Sequence, residues 1–120
     1  MAIQIYGISS CSTVKRAAKW FEAAGCDVES NDFRRTPVSL EKVSSWVKAF
    51  GAKAMKNTSG GSYRALGTEK DQWDDAQWAH AFAQDVMLIK RPVIEKDGVP
   101  LVVGFRKSDE ELRSLFGLEE

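Results

Sequence analysis

The feature that most constrains this chain is a change of hydrophobic period within its first helix-length of sequence. Ile3 and Ile5 alternate with Gln4, placing them on one face of a strand that runs from Met1 to Tyr6. Val14, Ala17, Ala18 and Phe21 then recur at i, i+3, i+4 and i+7, the apolar stripe of a helix. Gly7-Ile8-Ser9-Ser10-Cys11 must therefore turn a strand into a helix. Gly25 supplies the stop, because glycine takes positive φ without steric cost. Ser9 and Ser10 are expected as N-caps, which sets Cys11 in the first helical turn or just before it.

A thiol at that position differs from a thiol elsewhere. The leading amides of a helix lack intrahelical partners and together carry about half a positive charge, so they favour a thiolate. A free cysteine titrates near pH 8.5, and helix N-termini or nearby cations lower this to about 3.5–7.5. Lys15 and Arg16 lie near the same positive end, where a cation is mildly disfavoured; an anion close by would explain them. The alternative is an inert, half-buried cysteine that packs as a small apolar residue.

With 120 residues the chain has the size of one domain with a core of its own. Zero net charge, with no long run of one sign, argues against nucleic acid or anionic membrane as the default partner. No apolar run approaches the length of a spanning helix, and Ile3-Gln4-Ile5 reads as folded strand rather than signal peptide, so a cytoplasmic location is expected. Cys11 and Cys26 are expected to stay reduced there. They flank one helix of about 22 Å, too far apart for a disulfide.

Further along, Cys26 to Phe33 reads as a second strand, so the first unit is βαβ with a right-handed parallel crossover. Ser39 can cap a helix with Leu40, Val43, Trp46, Val47 and Phe50 on its apolar face and Gly51 as its stop. Ala52 to Lys56 extends it by a turn, and Asn57-Thr58-Ser59-Gly60-Gly61-Ser62 is expected as a mobile polar loop. Tyr63 to Val86 holds further helices, the longest over Asp74 to Gln84. Val93-Ile94-Glu95 and Leu101-Val102-Val103 flank Lys96-Asp97-Gly98-Val99-Pro100 as a hairpin, and Ser108 with Glu111 forms the capping box of a last helix. The order is βαβ, a helical insertion at about 36–87, then ββα, within a single domain over 1–120. That predicts an α/β, thioredoxin-like fold: a four-stranded mixed sheet with flanking helices. A reactive group after the first strand would then lie at the strand's carboxyl end, where such sheets bind ligands.

The neighbours of Cys11 narrow its chemistry. Val14 stands where a Cys-x-x-Cys motif would carry its second cysteine, so any disulfide made in turnover needs an external thiol, and Cys26 reads as structural. A cysteine-phosphatase loop would need an arginine where Ala17 stands. The one histidine, His80, reads as a helix-face residue rather than a base, and two cysteines with one histidine are too few for an ordinary zinc site. Arginines remain. Arg91 is held extended by Pro92 at the entrance to the third strand, and Arg106 follows the fourth. Guanidinium groups suit oxyanions and carboxylates. A hairpin packed beside the first strand would let both face Cys11.

Tyr6-Gly7, Cys11 and Lys15-Arg16-Ala17, then Leu88-Ile89-Lys90-Arg91-Pro92, then Gly104-Phe105-Arg106, resemble the arsenate reductase (ArsC/Spx) family, its YffB-like branch above all. The resemblance covers nearly the whole chain. It implies a redox-active Cys11 that attacks an oxyanion such as arsenate and then accepts glutathione. It implies Arg91 and Arg106 as two of three arginines around the oxyanion, and Pro92 as the cis-proline of thioredoxin-like proteins. Ser12 and Lys15 fall beside that site, Lys15 as a partner for a glutathione carboxylate. Asn57 takes the place of the third arginine, and Gly7-Ile8-Ser9 replaces the His-Asn-Pro stretch of arsenate reductases proper. Both departures weaken arsenate as the substrate and leave the thiol site intact. The expected activity is that of a glutathione-dependent thiol reductase or arsenate reductase, with glutathione as co-substrate, glutaredoxin as a partner and no metal. The alternative is an Spx-like, non-catalytic module that regulates transcription by docking on RNA polymerase.

Overall fold

A computed structural model describes residues 2–118. The period change becomes β1 (Ala2–Gly7) followed by α1 (Ser12–Ala23). Strand β2 (Asp27–Asp32) lies parallel to β1, with Ile3 opposite Val28 and Ile5 opposite Ser30. Strand β3 (Val93–Lys96) lies antiparallel on the other side of β1, with Ile5 opposite Ile94, and β4 (Val99–Val103) completes the sheet. The strand order is β2-β1-β3-β4. This mixed four-stranded sheet with flanking helices is the expected thioredoxin-like fold.

Chain contacts divide the molecule into two compact units. One comprises residues 1–32 and 91–120, the other Phe33–Lys90. In the first, Ile3, Ile5, Ile94 and Val102 form one face of the sheet and pack with Val14, Ala17 and Phe21 of α1 and Leu112 and Phe116 of α6 (Asp109–Phe116). The Phe21 ring meets Phe116 edge-on at 4.8 Å, and both are fully buried. Burial of such rings contributes about 1.5–3 kcal/mol each. Ser108 and Glu111 make the expected capping box on α6, and Trp20 Nε1 donates to Asp109 Oδ1 at 2.9 Å, tying α1 to that first turn.

In the second unit, α2 (Leu40–Phe50) and α5 (Asp75–Gln84) bury Val43, Trp46 and Val47 on one helix and Trp78, Ala79 and Phe82 on the other. Ser39 caps α2 by accepting from the Lys42 amide, and Gly51 ends it at φ 82°. Residues 55–57 and 88–90 are bound side by side, with the Asn57 amide on the Leu88 carbonyl (2.8 Å) and the Lys90 amide on the Met55 carbonyl (2.7 Å).

Several sequence expectations need correction. Strand β2 omits Cys26 and Phe33. The hairpin is tighter than expected: β3 and β4 run inward until only Asp97-Gly98 separates them, both at positive φ. The pair matches a two-residue turn whose central residues must be left-handed. Gly61-Ser62 is not loop but the start of α4 (Gly61–Ala65), after α3 (Ala52–Met55), and Ser59 Oγ donates to Asn57 Oδ1 in the turn before it. Leu40, on the first turn of α2, is 39% exposed rather than part of the apolar face.

Candidate functional site

The site is built where β1 hands over to α1. Gly7 is required by a close approach: a Cβ on it would meet Val14 Cγ2 at 2.5 Å. Its absence lets the first turn of the helix lie directly against the end of the strand. The connection is then tied down twice. The Cys11 amide donates to the Ile8 carbonyl at 2.9 Å. The Ser9 amide and hydroxyl both donate to Asp32 Oδ2, at 3.1 and 2.8 Å, across to the end of β2. Ser9 is thus a loop anchor rather than a helix cap.

The N-cap is Cys11 itself, with extended backbone angles (φ −75°, ψ 124°) and no side-chain cap hydrogen bond. Its sulfur sits where a serine or aspartate oxygen would accept from the leading amides. Half-burial of the sulfur opposes its ionisation, yet the Val14 and Thr13 amides and the Arg91 guanidinium together outweigh that. The Cys11 thiol is lowered below its ordinary range. Arg91 acts both through its charge and through a hydrogen bond to the sulfur.

The sheet brings Arg91 there. Tyr6 pairs with Val93, so continuing the antiparallel register sets Arg91-Pro92 abreast of Gly7-Ile8. The Arg91–Pro92 peptide is cis. The Pro92 carbonyl in turn accepts from the Gly104 amide at 2.8 Å, which draws the segment after β4 toward the same end of the sheet. Arg106 follows in that segment with its side chain exposed, as are Lys15 and Ser12 on α1. These three are not among the groups that act on the Cys11 sulfur. Asn57 belongs to the second unit, where its Nδ2 donates to the Met87 carbonyl at 3.3 Å and its Oδ1 accepts from Ser59.

Two contributors escaped the sequence. Asp32 looked like the tail of a polar strand, and no local signal linked it to Ser9. Arg16, a cation near the positive helix end, finds not an anion but the Phe105 carbonyl oxygen, 3.1 Å from Nη2, and the Phe105 ring, 5.5 Å away at its centroid. Cys26, past the far end of α1, is half-buried; burial and then Asp27 push its thiol up. His80 lies exposed on α5. Among the described residues no group of three or more His, Cys, Asp or Glu side chains could hold a metal ion, and no helix is long and apolar enough to cross a membrane.

Comparison with known proteins agrees with this fold. The ArsC family profile matches residues 6–113, a span running from the end of β1 into α6. An uncharacterized protein of Haemophilus influenzae is 31% identical over 108 residues, covering 89% of this chain and 94% of its own. The solved structure of the YFFB (PA3664) protein aligns with a TM-score of 0.80 at 26% identity, over 93% of this chain and 96% of that one. The crystal structure of "a possible arsenate reductase" from Streptococcus mutans UA159 aligns with a TM-score of 0.80 at 33% identity, over 92% and 96%. A profile match that takes in the end of β1, the Cys11 turn, the Arg91-Pro92 junction and Arg106 leaves one assignment: the chain belongs to the ArsC family.

Proposed function

We propose that the protein is a glutathione-linked thiol oxidoreductase in which Cys11 is the single nucleophile. The observation that carries this reading is a half-buried sulfur at the N-cap of α1 whose ionisation is favoured by two helix amides and by Arg91. Thiolates, not thiols, attack disulfides and metalloid centres, so the same contacts that stabilise the charge prepare the group for reaction.

With a disulfide substrate, the Cys11 thiolate forms a bond to one sulfur while the other leaves as a thiolate with the bonding pair. Arg91 faces the charge as it moves from Cys11 and as it returns. A glutathione thiolate then attacks the mixed disulfide and frees Cys11, leaving the substrate's other half joined to glutathione. A second glutathione thiolate cleaves that disulfide, so two glutathione thiols are oxidised to one disulfide and the substrate disulfide is reduced to two thiols. Where the mixed disulfide is with glutathione itself, glutaredoxin supplies the resolving thiol. An external thiol is needed because Val14 replaces a second cysteine and Cys26 lies beyond the other end of the helix. In this reading Lys15 and Arg106, both exposed, are cations for the carboxylates of glutathione, and Ser12 and Pro92 are further glutathione contacts. Asn57 aligns with an arginine of arsenate reductases, so this chain offers one cation fewer to an oxyanion, and sulfur electrophiles are preferred over arsenate. The reduced glutathione pool of the cytoplasm is the electron source in this reading.

The test is an NADPH-coupled assay with glutathione reductase, run with glutathione alone and with glutaredoxin, offering a small disulfide or arsenate. Each rate is corrected for the glutaredoxin-only background. Disulfide reduction that exceeds arsenate reduction and vanishes in Cys11→Ser is expected. Activity that survives Cys11→Ser would overturn the proposal and favour the protein-binding alternative.

A further inference from the structure

Arg106 poses a physical problem for the function proposed above. It is an exposed side chain on the segment between β4 and α6, and a long cation on a loosely held segment binds an anion weakly, because its ordering costs entropy. The structure supplies three anchors for the backbone that carries it. The Gly104 amide is bound to the Pro92 carbonyl at 2.8 Å, next to Arg91. The Phe105 ring is 9% exposed and lies 6.5 Å from Phe21. The Phe105 carbonyl accepts from Arg16 Nη2 at 3.1 Å, and the same guanidinium lies 5.5 Å from the Phe105 ring centroid.

That third anchor has a particular consequence. The Phe105 carbonyl belongs to the peptide plane that leads into Arg106, so fixing the oxygen fixes where the Arg106 backbone begins. Arg16 is also on α1, the helix whose N-cap is Cys11. The Arg106 backbone is therefore referenced to the sulfur-bearing helix on one side and to the residue after Arg91 on the other. We propose that Arg16 is a positioning residue, which holds the Phe105–Arg106 peptide so that Arg106 can receive an anionic group of a thiol substrate bound at Cys11. This rests on the glutathione-linked reading for the identity of that anion, but not for the placement of Arg106.

The experiment compares Arg16→Gln, Arg106→Gln and the double variant, with Lys19→Gln as a control that removes an exposed cation of α1 without removing the anchor. Arg16→Met, which keeps the stem packed near Phe105 but loses the donor, must behave like Arg16→Gln. In the ligand-free protein, ¹⁵N relaxation and hydrogen exchange of the Phe105 and Arg106 amides are expected to loosen in both Arg16 variants and stay unchanged in Lys19→Gln. The glutathione KM is expected to rise about threefold or more in Arg16→Gln and in Arg106→Gln, with the double variant no worse than Arg106→Gln alone. The pH midpoint of Cys11 alkylation should not move. Unchanged amides in the Arg16 variants, or effects on KM that multiply in the double variant, would overturn the proposal. If the amides loosen but wild type shows no dependence on glutathione, the glutathione reading fails while the positioning role stands.

Discussion

The two ends of α1 carry one cysteine each, and the helix treats them in opposite ways. Both side chains are half-buried and pack against the same core of Ile3, Ile5, Phe21 and Ile94. At the leading end, Cys11 replaces an oxygen cap, so the Thr13 and Val14 amides face a sulfur, and Arg91 adds a full charge; the thiol is lowered. At the trailing end the backbone closes on itself. The Gly25 amide bonds to the Glu22 carbonyl at 3.0 Å and the Cys26 amide to the Phe21 carbonyl at 3.0 Å, with Gly25 at φ 86°. This is a Schellman closure, and the carbonyl end of a helix offers a thiolate nothing. Burial therefore prevails at Cys26 and its thiol is raised. Two partly buried thiols thus shift in opposite directions; the direction of the peptide dipoles and one imported guanidinium separate them.

The largest expected effect comes from exchanging sulfur for oxygen at each end. Cys11→Ser should reduce disulfide turnover to background, while Cys26→Ser leaves it intact, measured in the coupled assay. Next come the two glycines that bracket the helix. Gly7→Ala forces a methyl into Val14 and should cost about 1–3 kcal/mol in denaturant melts, with slower Cys11 alkylation and partial recovery in Gly7→Ala/Val14→Ala. Gly25→Ala, which meets no neighbouring atom but sits at positive φ, should cost about 1–2 kcal/mol and leave Cys11 alkylation as it was. Equal effects of both glycine variants on Cys11 would erase the distinction drawn between the two ends.

Smaller still is Arg91→Gln. In a half-exposed site its loss should slow Cys11 alkylation at neutral pH about two- to fivefold, the size of a charge–dipole or ion-pair interaction of about 0.3–1 kcal/mol. The finest discrimination lies in pH. Cys11 should alkylate with a midpoint below that of a free thiol and Cys26 with one above it, followed site by site by mass spectrometry. The signs on stability are opposite. The lowered Cys11 contributes stability that is present above the ordinary thiol range and is lost as pH falls through its folded value. The raised Cys26 contributes stability that is present below that range and is lost as pH rises through its folded value. Melts of Cys11→Ser and Cys26→Ser across this window should therefore diverge from wild type in opposite directions.

Much of the fold could be read from short stretches. The alternation at Ile3 and Ile5, the stripe from Val14 to Phe21, Ser39 before α2, Ser108 with Glu111, and Asp97-Gly98 all act through residues within a turn or two of one another. The misreadings share a cause. Gly61-Ser62 looked like loop by composition, yet the following Tyr63-Arg64-Ala65 propagates a helical turn back over them. Ser9 has the chemistry of a cap, but a carboxylate on a neighbouring strand competes for it and leaves the cap position to Cys11.

By itself, then, the sequence determined that a strand would turn into a helix with a cysteine at its start, and that two more strands and a capped helix would follow the helical segment. Only the tertiary structure decided which groups face that cysteine. Arg91 reaches the sulfur through the antiparallel register of β3 on β1, Asp32 reaches Ser9 across 23 residues, and Phe105 reaches Arg16 across 89. Local preferences carry information over a few residues, because they arise from backbone sterics and neighbouring side chains. Contacts between distant segments exist only once the sheet has fixed its strand order and register, so the same cysteine is ordinary or activated according to how the strands pair.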